Sequence, residues 1–264
     1  MIPVMAVPLH VVSAGNGPTL LFIHGSAADH ATWAITLASG LREPFSLVAY
    51  DRRGCGKSPA APRFWTIEDH ADDVLALIAT LAAPPILVGS SFGSVVALDV
   101  ARRAPASVAG LVLIEPPMAA SDEVPPIPVG FLEHFDSLAL AQGGPAAAEY
   151  FLRTVLGDAA YDKMPRMFQE RSKAQFAAIR ADSEALGRYH PRFEALRTCT
   201  VPTLLLGGER SAGYFRPTLD KMASVLPAAE LVTVANAGHM LHAEASRKFA
   251  ELVAGFAATV FRDI

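Results

Sequence analysis

The 264-residue chain predicts an α/β fold: a mostly parallel central sheet flanked by helices, interrupted by a helical insertion. Three observations predict it. Short apolar runs alternate with helical patterns, as they do where crossover helices join parallel strands. Several of the runs are apolar at nearly every position, as strands covered on both faces require. The alternation stops once, between positions 117 and 200, where helical patterns follow one another without a convincing strand.

The runs Pro8–Val12, Thr19–Ile23, Ser46–Tyr50, Pro85–Val88, Gly110–Ile114, Pro202–Leu206 and Glu230–Val234 read as strands. A helix opens at Thr66, with Asp69 three residues on as its capping-box partner. Ala71, Val74, Leu75, Ile78 and Leu81 then recur at helical spacing. Phe92 to Arg103 and Ser246 to Arg262 read as helices as well. In the insertion, Pro116, Pro117, Pro125, Pro126 and Pro128 mark the entry, and helical segments follow around Val129–Gln142, Pro145–Leu156 and Tyr161–Tyr189. Residues 1–116 and 201–264 therefore read as one core and 117–200 as a cap. An insertion at the carboxyl edge of the sheet would roof whatever sits there.

Composition removes several function classes. Hydrophobic side chains make up 52% and charged ones 18%, enough apolar surface to exclude a disordered chain. The longest apolar stretch, Val74 to Val88, contains Thr80 and is broken by Pro84-Pro85, so no membrane span is expected. The opening MIPVMAVPLHVV has no basic n-region and no small-residue cleavage site, so no signal peptide is expected. The net charge of −4 leaves no basic stripe for phosphates, which argues against nucleic acid. Cys55 and Cys199 form no metal-ligand pattern, and a reduced, cytoplasmic chain is the simplest reading. Oligomeric state is not legible.

The strongest motif is Gly89-Ser90-Ser91-Phe92-Gly93, a G-x-S-x-G between an apolar strand and a helix. A tight turn there lifts the Ser91 hydroxyl out at the strand end. Small residues at 89 and 93 let neighbouring backbone pass close, and the helix start aims N–H groups and a positive dipole end at the reacting centre. Lys57-Ser58 is not a phosphate loop, because that pattern needs glycine where Asp51 stands.

With these residues the chain resembles the α/β-hydrolase fold family over nearly its whole length. His24-Gly25 follows an early strand, and Asp51-Arg52-Arg53-Gly54-Cys55-Gly56-Lys57-Ser58 is similar to the family's D-x-R-G-x-G-x-S stretch. Gly238-His239 follows the last strand, like the family's late histidine. The resemblance implies a sheet of about eight strands, with the cap between strands six and seven. It implies Ser91 as nucleophile and His239 as base. The Phe92 and Ser26 backbone N–H groups become the oxyanion donors. It also gives His24 a structural role in holding its loop by hydrogen bonds.

The acid departs from the family's commonest pattern. The loop after strand seven reads Gly207-Gly208-Glu209-Arg210-Ser211, with serine where aspartate is usual. Glu115, in LVLIEPP at the end of strand six, is assigned in its place, since a carboxylate is rarely left at an apolar strand end without a partner. Glu209 is the runner-up, and a structural carboxylate at the cap entrance is the plain alternative for Glu115.

The expected reaction is hydrolysis of a carboxylic ester or lactone of a medium-sized, fairly apolar small molecule through an acyl-enzyme, with no cofactor and no metal. Carbon–carbon bond hydrolysis, perhydrolysis and acyl transfer use the same residues, and a non-catalytic ligand receptor of the same fold is the alternative of another class. Trp33, His30, Phe135, Tyr150, Phe151, Met164 and Phe168 are candidates for the substrate pocket. At helical spacing, such cap residues more often form the cap's own core than a pocket wall, and Trp33 equally suits ordinary core packing. The Ser26 hydroxyl is a further candidate to reach the pocket.

Overall fold

The computed structural model describes residues 8–59, 64–119, 121, 128–189 and 193–262. Residues 1–7 of the opening segment, and Pro125 and Pro126 at the cap entry, lie outside the described residues. The strands are β1 (Val11–Ala14), β2 (Thr19–Ile23), β3 (Ser46–Tyr50), β4 (Ile86–Ser90), β5 (Gly110–Ile114), β6 (Thr203–Gly208) and β7 (Ala229–Val234). The helices of the core are α1 (Ala34–Leu37), α2 (Ile67–Ile78) and α3 (Phe92–Arg103). Helices α4 (Phe131–Gln142), α5 (Gly144–Leu156), α6 (Asp158–Lys163), α7 (Arg166–Lys173), α8 (Phe176–Arg188) and α9 (Phe193–Leu196) fall between β5 and β6. Helices α10 (Phe215–Val225), α11 (Leu241–Glu244) and α12 (Ser246–Arg262) complete the chain.

The sheet runs β1-β3-β2-β4-β5-β6-β7, with β1 antiparallel to β3 and every other pair parallel. Among the described residues it has seven strands, not about eight. The sequence holds seven apolar runs, and the eighth strand was implied by resemblance alone. Glu115 therefore follows the fifth strand in chain order, and the cap helices lie between the fifth and sixth.

The near-continuous apolar runs have the physical cause expected of them. Leu20, Leu21, Phe22 and Ile23 on β2 are all fully buried. Alternate side chains point to opposite faces. Leu21 and Ile23 join Val95, Val96 and Met222 on one face, while Leu20 and Phe22 join Trp33, Phe249 and Val253 on the other. Each such apolar side chain contributes about 1.5–3 kcal/mol by leaving water.

Helix α2 starts at the expected capping box: the Asp69 N–H donates to Thr66 Oγ1 at 3.2 Å, and the Thr66 N–H donates back to Asp69 Oδ2 at 2.9 Å. The helical segment expected over Tyr161–Tyr189 is instead three helices, α6, α7 and α8. Pro165 explains the first break. It forces the preceding residue out of helical geometry, and Met164 is extended with ψ 133°.

Candidate active site

Strand β4 ends in a sharp turn into α3. Ser91 sits at its apex with φ 52° and ψ −120°, a region costly for a residue with a side chain. The turn closes only because its neighbours are glycines. A Cβ on Gly89 would lie 2.5 Å from the Gly93 carbonyl oxygen, and a Cβ on Gly93 would collide with the Ile23 carbonyl of β2. The Ser91 N–H donates to Ile114 O at 2.8 Å, and the Ser94 hydroxyl donates to Gly89 O at 2.8 Å. The first bond anchors the turn to the end of β5, and the second braces the turn within itself.

Glu115 follows directly on β5 and also has positive φ, 43°. It is 1% exposed, and both of its oxygens have partners. The Gly208 N–H donates to Oε1 at 2.7 Å, and His239 Nδ1 lies 2.6 Å from Oε2. Phe215 of α10 stacks on the His239 ring with centroids 4.5 Å apart and planes 12° apart, which fixes the ring's tilt. The sequence reading missed Phe215, since no motif marks it. Glu209 is exposed and turns away, accepting the Asn236 N–H at 2.8 Å. The Ser211 hydroxyl is buried without a hydrogen-bond partner among the described residues. His242, on α11 just after this loop, packs on Trp33 with its Nε2 3.1 Å from the Thr32 hydroxyl. Burial, with the charge of His239 second, pushes its pKa down to about 3.

The loop after β2 lies against the elbow: a Cβ on Gly25 would sit 3.1 Å from Ser91 Cβ. His24 holds this loop, as expected of it. The Arg52 N–H donates to His24 Nε2 at 3.0 Å, so that nitrogen carries a lone pair, and Nδ1–H donates to Gly25 O at 2.8 Å. Burial and the Arg52 charge both keep the ring neutral. Neither the Ser26 nor the Phe92 N–H meets a protein acceptor among the described residues. The Ser26 hydroxyl donates to Asp182 of the cap at 2.8 Å.

Elbow, flanking loops and sheet order form one recognisable arrangement. A sequence profile described as the Alpha/beta hydrolase family matches residues 20–252. The chain belongs to the alpha/beta hydrolase family. It is 28% identical over 250 residues to the 2-(acetamidomethylene)succinate hydrolase of Mesorhizobium japonicum, covering 89% of this chain and 86% of that one. Against the hydrolase YraK of Bacillus subtilis it is 35% identical over 111 residues, 41% of each chain. The chain thus spans about four-tenths of the length of that relative and of several other curated relatives. Among solved structures, a thermophilic esterase from Thermogutta terrifontis superposes with a TM-score of 0.79 at 24% identity, covering 96% of this chain and 93% of that one. At that identity the likeness shows the fold alone.

Several pocket candidates of this alpha/beta hydrolase lie elsewhere. Trp33 is fully buried between Phe22, His242 and Phe249, in the core on one face of the sheet, because the turn from His30 to Trp33 folds its ring inward. Phe135 is also fully buried, stacked on Phe176 with centroids 5.3 Å apart, and belongs to the cap's own core. Tyr150 and Phe151 pack against that same core around Phe131. Phe168 is exposed on α7, and Met164 is half-buried. Among the described residues, Ala27 joins this cap cluster from the loop after Ser26.

His30 is held by Asp51: its N–H donates to Oδ1 at 2.8 Å and its Nδ1 lies 2.7 Å from the same oxygen. Burial opposes ionisation of Asp51, but the N–H groups of His30 and Lys57 outweigh it and hold the carboxyl below its ordinary value. His10, His30 and Asp51 place metal-type donor atoms within 4.8 Å of one another. Both Asp51 oxygens already accept N–H bonds, so this donor set organises the loop. Both cysteines are buried free thiols, and no helix among the described residues is long and apolar enough to cross a membrane.

Proposed function

We propose that the chain is a serine hydrolase that cleaves a carboxylic ester or lactone of a medium-sized, fairly apolar molecule. One observation carries the reading: a buried carboxylate, Glu115, lies 2.6 Å from Nδ1 of the histidine that follows the last strand, and the strained elbow of Ser91 bonds to the residue before it, Ile114. Ser91 Oγ attacks the carbonyl carbon while His239 Nε2 takes its proton. Glu115 holds the tautomer with the proton on Nδ1 and stabilises the imidazolium once it forms. The N–H groups of Phe92 and Ser26 receive the oxyanion of the tetrahedral intermediate. His239 then returns the proton to the departing alkoxide, and an ester carbon–oxygen bond breaks. Water, deprotonated by His239, attacks the acyl-enzyme, releases the acid and restores Ser91.

A fluorophosphonate probe with mass mapping tests this directly. Wild type is expected to be labelled at Ser91 and the Ser91→Ala variant nowhere. Native, folded protein that leaves Ser91 unlabelled would remove the reading. A panel of p-nitrophenyl esters, lactones and diketones then separates oxygen-ester from carbon–carbon cleavage.

A further inference from the structure

The cap reaches into the site through one buried charge. Asp182 of α8 is 1% exposed, and its partner Arg52, in the loop after β3, is fully buried. Arg52 Nη1 donates to Asp182 Oδ1 at 3.0 Å and Nη2 to Oδ2 at 2.6 Å, a bidentate fork. Two further donors of the same guanidinium are aimed at the loop that carries Ser26. Nε donates to His24 O at 3.1 Å, and Nη2 donates to Gly25 O at 3.1 Å. The Ser26 hydroxyl donates to Asp182 Oδ2 at 2.8 Å, so the carboxylate grips the loop directly as well.

The same group grips the other donor residue. The Arg52 guanidinium lies 4.3 Å from the centre of the Phe92 ring, and His70 meets that ring edge-on at 5.1 Å. His70 Nε2 is also 3.8 Å from Asp182 Oδ1, and burial keeps His70 neutral. Holding the carbonyls of His24 and Gly25 towards Arg52 leaves the next N–H, that of Ser26, free to point the other way. A bare salt bridge of this kind gives little net stability, because taking both charges from water offsets their attraction. Its placement on both sides of the proposed oxyanion hole suits a role in geometry.

We propose that Asp182 is a positioning residue of the oxyanion hole: through Arg52 and the Ser26 hydroxyl, this cap residue sets where the Ser26 and Phe92 N–H groups point. The inference rests on the serine-hydrolase reading above. Loss of one whole oxyanion donor costs about 10²–10³-fold in kcat, so a misaimed donor costs about 10- to 100-fold.

The test uses Arg52→Met/Asp182→Leu, which removes both charges together and leaves none buried alone. Turnover of p-nitrophenyl acetate, inhibition by an aliphatic trifluoromethyl ketone, fluorophosphonate labelling and thermal unfolding are measured in parallel. A folded double variant is expected to lose about 10- to 100-fold in kcat, with KM within about threefold, and the same factor in ketone affinity. A purely structural pair would move the unfolding temperature and leave the ketone affinity alone. A folded double variant with wild-type kcat and ketone affinity overturns the proposal. Should the double variant not fold, Ser26→Ala decides: it removes only the hydroxyl arm to Asp182 and is expected to lower kcat about 3- to 10-fold at constant KM, a fraction of a full donor. No change in kcat there overturns the proposal equally. Absence of wild-type labelling at Ser91 is a separate result, which removes the hydrolase reading and this one with it.

Discussion

The residue that follows β5 bonds to the end of β6, with the Glu115 N–H on Leu206 O at 3.1 Å and the Gly208 N–H on Glu115 Oε1 at 2.7 Å. The two strand ends carry different chemistry, and only the β5 end meets the histidine. The β5 end delivers a buried carboxylate to His239, at the cost of a left-handed backbone at Glu115. The β6 end carries the Ser211 hydroxyl, buried without a hydrogen-bond partner among the described residues, while its own carboxylate, Glu209, accepts the Asn236 N–H. Carboxylates are thus available at both ends, and the direction of the backbone decides which one arrives. Ser211 lies beside the glycine that holds Glu115, since a Cβ on Gly208 would lie 2.7 Å from Ser211 Oγ and the Gly208 N–H donates to Glu115 Oε1.

Four experiments break or sharpen that comparison. The largest effect is expected from Glu115→Gln, which keeps the shape and removes the charge: kcat should fall about 10²–10⁴-fold in steady-state ester hydrolysis. A near-normal rate would make Glu115 a structural carboxylate. Moving the charge is the sharper experiment. Glu115→Ala/Ser211→Asp should recover about 10-fold over Glu115→Ala alone, as an opposite charge within reach of the imidazolium favours it. No recovery in kcat would mean that the β6 end cannot reach the histidine at all.

The next effect lies in α11, directly after the loop that carries His239. His242 has a folded pKa near 3 because burial excludes its charge, while the unfolded chain titrates it near the ordinary value of about 6.5. Between those values the unfolded state binds a proton that the folded state refuses. Stability is therefore full above about pH 6.5 and falls as pH drops below it, and buried His24 and His70 act in the same direction. Urea midpoints at pH 7.5 and 5.5 should show the loss in wild type and a smaller one in His242→Gln; identical losses would remove His242 as a cause. Glu209→Gln is expected to have the smallest effect, less than about twofold in kcat, in line with a surface change away from the site. A large loss there would transfer the acid role to the β6 loop.

Much of the fold was legible because burial on both faces leaves a direct trace in sequence. Leu111, Val112, Leu113 and Ile114 are all fully buried, so nothing polar interrupts the run. The elbow was legible for a similar local reason, since Gly89 and Gly93 answer to backbone contacts that exclude a Cβ. The cap was harder. Phe135 and Trp33 carry the residue type of a pocket wall, yet both are buried in packing cores, and residue type alone does not say which neighbour an aromatic ring will meet.

The sequence by itself determined the layered α/β fold, the turn that carries Ser91 and the absence of aspartate at position 211. These follow from local rules: strand and helix periodicity, glycine at a crowded turn, residue identity. Only the tertiary structure decided that Glu115 meets His239 across 124 residues and that Asp182 reaches Arg52 and Ser26 across 130 and 156. Those contacts depend on chain direction at strand ends and on how the cap seats on the sheet. Pairwise proximity between distant segments has no periodic signature for a single sequence to carry.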